Sequence, residues 1–260
     1  MRRRFVVTDV TRMGGSNVCV AGQFEDGTPV RPVFGPGADL TEGWLCDRGR
    51  VVVRPFALVE LDFQRSRPQP PHTEDWTVDR LYRRQIRLLQ EAERRSWLAD
   101  RDDGELERVF GTKVRQEPGW YVISDTGTRS LATFRPDAVL GLESHDRPDR
   151  PGVWETRLRF ALGDRFYALA VTDLAFRYYA DRARAEPGAT AAAVDRTLLQ
   201  MLRDAHRLYL RIGLTRGTWA KYPGHCFLQI TGVYPFPDYL NGCCFADLRS
   251  PPPSMDDVPF

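Results

Sequence analysis

Val51-Val52-Val53-Arg54-Pro55-Phe56-Ala57-Leu58-Val59-Glu60-Leu61-Asp62-Phe63 is the stretch on which the fold turns. Ala57, Val59, Leu61 and Phe63 point one way, while Leu58, Glu60 and Asp62 point the other. Successive side chains of a strand face opposite sides of a sheet, so this period of two predicts a strand with one core face and one partly wet face. Upstream, Phe5-Val6-Val7-Thr8, Val18-Cys19-Val20-Ala21 and Val30-Arg31-Pro32-Val33 read as further strands. Gly14-Gly15-Ser16, Glu25-Asp26-Gly27 and Gly35-Pro36-Gly37 supply the turns between them, since glycine and proline set the backbone angles that tight reversals need. A curved antiparallel sheet or small barrel is expected from Arg4 to Phe63.

Downstream, the proline-rich Arg67-Pro68-Gln69-Pro70-Pro71 leads into residues 77–98, where Leu81, Leu88, Leu89 and Ala92 recur at helical spacing and Thr77 stands as an N-cap. A helix is predicted there. Residues 119–124 and 132–142 read as strands returning to close the first barrel, and the charged segment 144–151 as a domain boundary. Beyond it, 154–162 and 166–172 form a hairpin through Gly163-Asp164, with Trp154, Thr156, Leu158 and Phe160 on one face and Glu155, Arg157 and Arg159 on the other. Helices are expected over 174–186 and 190–207, strands over 208–214 and 226–234, and a mobile tail over 249–260.

Composition narrows the function. Of 260 residues 42% are hydrophobic, and no stretch approaches the roughly 20 apolar residues of a membrane-spanning helix. After Met1-Arg2-Arg3-Arg4 the chain alternates instead of running apolar, unlike a secretory signal. Five cysteines form an odd set, which points to a reducing compartment and makes the cytoplasm the expected location. Net charge is only +2, and Lys113 and Lys221 are the only lysines. The arginine bias suits bidentate phosphate contacts, although a GC-rich coding sequence produces the same bias. Dinucleotide, phosphate-loop, zinc-protease and hydrolase-elbow motifs are all missing from the sequence, which turns the reading from catalysis toward binding.

The two halves share a plan of strand hairpin, helical insertion and returning strands. Arg3-Arg4-Phe5-Val6-Val7, Cys19-Val20-Ala21-Gly22, Val30-Arg31-Pro32-Val33 and the strand leading to Trp76 carry it in the first half. Phe166-Tyr167-Ala168-Leu169-Ala170-Val171-Thr172-Asp173, Leu210-Arg211-Ile212-Gly213-Leu214 and Cys226-Phe227-Leu228-Gln229-Ile230-Thr231-Gly232-Val233 carry it in the second. Over most of residues 3–248 the chain resembles the bacterial dual-OB-domain proteins, with segments 215–225 and 234–248 richer in aromatics than a minimal member. The resemblance implies a mixed α+β, β-rich fold of two OB-like antiparallel β-barrels with helical insertions. The first would span 1–145 with its insertion at about 77–110, and the second 150–248 with its insertion at about 174–207. It also implies nucleic-acid binding, with no catalytic residue to carry over.

Such binding needs aromatic platforms for bases and basic groups for phosphates. Arg211, Arg216 and Lys221 interleave with Trp219, Tyr222, Phe227 and Gln229 in the second half, while Arg31, Trp44, Arg54 and Phe56 form a first-barrel candidate patch with Arg2 and Arg3 as a basic arm. Glu60 and Asp62 share a strand face roughly 7 Å apart, a spacing suited to a magnesium ion, and stand as the catalytic candidates. His225-Cys226 and Cys243-Cys244 lack the paired two-residue gaps of a zinc site, so no metal and no cofactor is expected. The reading is a non-catalytic subunit for single-stranded or structured DNA or RNA, working with a helicase or nuclease partner in a bacterial stress or defence system. The alternatives are an adaptor that binds peptides or partner subunits, and a metal-dependent nuclease or nucleotide-processing enzyme.

Overall fold

The alternation at Ala57, Val59, Leu61 and Phe63 becomes a strand whose four apolar side chains are sealed in the first of three hydrophobic cores. The structure, a computed structural model, describes residues 1–147 and 150–249. All but the first residue of the expected 249–260 tail lies outside the described residues. Among them no helix is long and apolar enough to cross a membrane.

The first half comprises β1 (Arg2–Arg12), β2 (Asn17–Phe24), β3 (Pro29–Val33), β4 (Leu40–Thr41), a 3-10 turn (Glu42–Leu45), β5 (Cys46–Asp47), β6 (Arg50–Val51), β7 (Ala57–Ser66) and β8 (Asp75–Leu88). β1 pairs antiparallel with β2 and with β7, β7 antiparallel with β8, β8 parallel with β3, and β3 antiparallel with β2. The ring β1–β2–β3–β8–β7–β1 is closed, giving the five-stranded Greek-key barrel of the OB type. β1 serves two neighbours by bending at a register shift between Val7 and Asp9. Gly22 makes room for that crossing, because a Cβ there would lie 2.0 Å from the Val6 carbonyl oxygen. Phe63 plugs the interior, with its ring centroid 5.9 Å from Phe5 and 5.0 Å from Phe24 in edge-on contact.

The helix expected from Thr77 is instead the long strand β8. Leu81, which a helical stripe would bury, is 88% exposed. Thr77 does not cap; its hydroxyl bonds the Arg65 backbone across the strand pair. Tertiary pairing overrides the local period here: an unpaired β7 edge would leave a row of buried N–H and C=O groups without partners. Val78, Tyr82 and Ile86 are residue types that a pleated surface favours. Helix begins only at α1 (Glu91–Ala99), held by a Gln90–Glu93 capping box, and is followed by α2 (Leu106–Phe110).

The remaining elements are β9 (Tyr121–Ile123), β10 (Leu131–Phe134), β11 (Ala138–Arg147), β12 (Arg150–Leu162), β13 (Arg165–Ala170), α3 (Leu174–Ala185), α4 (Ala191–Asp204), β14 (Arg207–Leu214), β15 (His225–Phe236) and α5 (Phe245–Leu248). The strands over 119–124 and 132–142 do not close the first barrel, whose ring is already complete. β9 pairs with β15, β10 with β14, and β11 with β12. The β11–β12 pairing runs from Ala138↔Ala161 to Asp146↔Trp154, through the segment read as a boundary. The hairpin's wet face begins just before that segment, where Glu143 and Arg159 pair across the strands at 3.1 Å. β10 and β11, broken at Arg135-Pro136, act as two halves of one bent strand. With the parallel bridge Val171↔Ile230 joining the end of β13 to β15, the order of the first ring recurs in a more open form. α3 and α4 cover its core through Phe176, Ala180, Leu198 and Leu202. Asp173 caps α3, accepting N–H bonds from Ala175, Phe176 and Val233, while burial pushes its carboxyl up to about 7.

Two buried polar contacts join the halves. Asp9 of β1 and Arg211 of β14, each 1% exposed, form an ion pair at 3.0 Å. Thr8 donates to the Asp9 carboxylate at 2.7 Å, Thr231 donates to it as well, and Arg211 donates to the Thr133 hydroxyl at 2.7 Å. Beside them, Asp75 accepts from Arg31 at 2.7 Å and from Arg216 at 2.6 Å. His72 lies buried against this second contact. Desolvation, reinforced by the Arg31 and Arg216 charges, drives its imidazole down to about 2.

Removing one member of a buried pair leaves an uncompensated charge, so Asp9→Ala is expected to cost about 3–5 kcal/mol. Asp9→Ala with Arg211→Met should cost much less than the two single changes summed, as read from urea unfolding midpoints. For His72 the folded imidazole titrates below its unfolded value of 6.5, so the unfolded chain takes up the proton first and stability falls as pH drops below that value. The expected slope is about 1.4 kcal/mol per pH unit between roughly pH 6 and 4. His72→Gln should remove that slope in thermal melts across the range, and an unchanged slope would show that His72 titrates normally.

Candidate nucleic-acid interface

On β12 the residues alternating with the buried Leu158 and Phe160 face outward, and Glu155 and Arg157 among them form a wall of a groove. On β13 the outward positions that line the groove are Ala168 and Ala170, and these small side chains leave the groove its depth. Phe227 and Gln229 of β15 line the other side, and the β14–β15 loop, residues 215–224, closes over the end. The space enclosed is about 600 Å³. The loop is cinched at its base, where Gly224 donates to the Gly217 carbonyl at 2.9 Å. Gly224 holds φ at +74°, which favours glycine, and a Cβ on Gly217 would crowd the Gly224 backbone at 3.2 Å.

Trp219 rides on this loop and is 54% exposed. Its ring centroid lies 5.1 Å from Tyr222 and 5.6 Å from Phe227, which in turn stacks on His225 at 6.0 Å. Tyr121 of β9 extends the aromatic row, 4.1 Å from His225. The Lys221 ammonium sits 5.3 Å from the Tyr222 ring, and Arg157 pairs with Glu155 at 2.8 Å. Arg147, Arg157, Arg216 and Lys221 stand against Glu155 alone among the charged lining residues. A cleft lined mostly by one sign of charge concentrates the opposite charge in it. Aromatic faces beside that charge can take planar, anionic ligands.

Six of the ten binding residues expected from sequence meet here: Arg216, Trp219, Lys221, Tyr222, Phe227 and Gln229. Arg216 also reaches back to Asp75, so one edge of its guanidinium is committed. The other four are elsewhere. Arg211 is the buried partner of Asp9, and Arg31, 4% exposed, is the buried partner of Asp75. Trp44 is a core residue whose indole N–H donates to the Arg80 carbonyl at 2.9 Å and whose ring meets Phe34 edge-on. Arg54 donates to the carbonyls of Gly242 and Cys243, tying the C-terminal segment to the first barrel. Phe56 packs on Tyr234 in the third core. Arg2 and Arg3 are not a loose arm; they belong to β1, with their guanidinium groups over the rings of Tyr82 and Phe24.

The carboxylate candidates are likewise engaged. Glu60 accepts from the Tyr82 hydroxyl at 2.6 Å, which holds its carboxyl below the usual range, and Arg4 adds a weaker contact at 3.4 Å. Asp62 accepts from the amino group of Met1 at 2.6 Å. Among the described residues no group of three or more His, Cys, Asp or Glu could hold a metal ion. Trp120, Arg147, Glu155, Arg157, Ala168 and Ala170 also line the groove, and none of them is among the binding residues expected from sequence. The signal for Glu155 and Arg157 is the outer face of the 154–162 strand, which the alternation separates from the core face without marking it as a binding wall.

OB barrels take oligonucleotides and oligosaccharides on their second and third strands, between the loop joining strands one and two and the loop joining strands four and five. In the second barrel those strands are β12 and β13 and the latter loop is 215–224, so the groove occupies that position. In the first barrel the matching strands are β2 and β3, and their outward Gln23 and Arg31 are buried, with Arg216 from the other barrel reaching in beside them to Asp75. One face is sealed and its counterpart is open. A family model described as the dual OB-containing domain matches residues 4–233. No curated protein matches the chain. Strand order, repeated in both halves, and a match reaching from β1 into β15 together show that the chain belongs to the dual OB-containing domain family.

Proposed function

We propose that the protein binds nucleic acid, single-stranded or structured, in the groove of the second barrel. Bases stack on Trp219, Tyr222 and Phe227, while Lys221, Arg157 and the uncommitted edge of Arg216 meet phosphates. Gln229 and Thr218 lie within the same groove and offer hydrogen bonds to base edges. The observation that carries this reading is Trp219, a large ring left 54% exposed on a glycine-cinched loop beside basic side chains. Exposing such a ring has a cost in water that a stacked base removes.

In this reading the protein has a binding role. An enzymatic partner such as a helicase or nuclease supplies the chemistry, in a bacterial stress or defence system in the cytoplasm. The support is indirect: Glu60, one of the two carboxylates read as spaced for a metal, is taken up by Tyr82 and Arg4.

The test is fluorescence anisotropy of labelled single-stranded DNA, single-stranded RNA and duplexes from about 50 to 200 mM salt. Trp219→Ala is expected to weaken binding by about 5- to 150-fold, the range for loss of one stacked base. Lys221→Ala should flatten the log–log salt slope by about 0.7. Absence of binding to every form would overturn the proposal. Salt-insensitive capture of a peptide at the same groove would favour the adaptor reading.

A further inference from the structure

A second groove, of about 670 Å³, lies on the first barrel between the turn at Gly35-Pro36 and the end of β7. Arg65, Ser66, Arg67, Gln69 and Thr77 give it a polar lining, and neither a carboxylate nor an aromatic ring lines it. Arg65 and Arg67 are both exposed, and neither guanidinium has an ion-pair partner among the described residues. Their backbones are fixed: Arg65 is bonded to Thr77 at 3.2 Å, and the Arg67 N–H donates to the Asp75 carbonyl at 2.8 Å. Two unpaired cations at alternate positions, roughly 7 Å apart on a rigid strand end, form a prepared anion-binding edge.

Backbone hydrogen bonds link the loop that leaves this edge to the loop that closes the groove of the second barrel. The loop leaving the edge passes Pro70, whose carbonyl accepts from the Asp125 N–H at 3.0 Å, and the neighbouring Ser124 N–H donates to the Gly224 carbonyl at 2.8 Å. Gly224 is the base of the loop that carries Trp219. The corresponding loops of the two barrels are therefore held against one short turn. The exposed Asp125 carboxylate on that turn is the unfavourable charge on the route, and the two arginines outweigh it.

We infer that a bound single strand continues past the second barrel and lays its sugar–phosphate backbone along Arg65 and Arg67 of the first. The inference rests on the nucleic-acid reading above and deepens it, assigning base stacking to one barrel and sequence-independent phosphate contact to the other. A groove with cations and no rings can hold a backbone but gives bases nothing to stack on.

The experiment compares oligothymidines of about 8 and about 24 nucleotides, chosen around the ~4–16 nucleotides that one OB barrel occupies, on the full chain, the Arg65→Ala/Arg67→Ala variant and Trp219→Ala. Both arginines are exposed, so the double variant should keep the wild-type melting midpoint. The expected result is that it weakens the long strand by about five-fold or more, lowers that strand's salt slope by about 1.4, and changes the short strand by less than about two-fold. Trp219→Ala should weaken both lengths. An unchanged long strand, or equal losses on both lengths, overturns the extended path while Trp219-dependent binding of the short strand leaves the parent reading standing. If the wild-type chain binds neither length, the extended path fails, and the parent reading fails with it only when single-stranded RNA and duplexes also go unbound.

Discussion

A single carboxylate–guanidinium contact, Asp9 with Arg211, sets how the two barrels meet. Both groups are buried, and taking charges out of water is costly unless geometry and added hydrogen bonds offset the loss. Here the offset comes from hydroxyls: Thr8 and Thr231 donate to the carboxylate and Thr133 accepts from the guanidinium. These groups come from β1, β10, β14 and β15, so the pair is satisfied only when all four strands are in register. An apolar contact of similar area would tolerate a rotation of one barrel on the other, whereas a directional network of this kind does not.

The same junction determines which surface is left free. Arg216 departs from the strand that carries Arg211 and ends on Asp75, which the first barrel also uses to neutralise Arg31. The loop bearing Arg216 is thereby pulled against the first barrel while its far side holds Trp219 toward solvent. Closure of one OB face and presentation of the other are two results of one packing arrangement. His72 shows how dry that packing is, since burial and two neighbouring guanidinium groups keep its ring uncharged.

Much of this was legible in the residues. The alternations at 57–63 and 154–162 located two strands with their buried faces correct, 166–172 was placed as the second strand of a hairpin, and the aromatic-basic loop before β15 located most of the groove. Where the reading failed, the deciding information was non-local. Leu81, Leu88, Leu89 and Ala92 do have helical spacing, but the chain obeys the unpaired edge of β7. Residues 119–142 were assigned by proximity in sequence to a ring that five other strands had already closed. Arg31 and Arg211 look like any other arginine in a basic strand; only the carboxylates opposite, Asp75 at 44 positions' distance and Asp9 at 202, identify them as buried structural pairs. Trp44 and Phe56 enter the first-barrel patch because Arg31 and Arg54 accompany them in sequence, whereas both rings are core residues. The groove's floor, Ala168 and Ala170, was missed because its contribution is the absence of bulk.

Two copies of one barrel in a chain ordinarily suggest two sites and the gain in avidity that linked sites bring. The buried β2–β3 face removes that option. With one OB face spent on joining the barrels, the chain offers this kind of face once. Under the proposed reading, bridging two ligands through this kind of face would require a second copy of the chain.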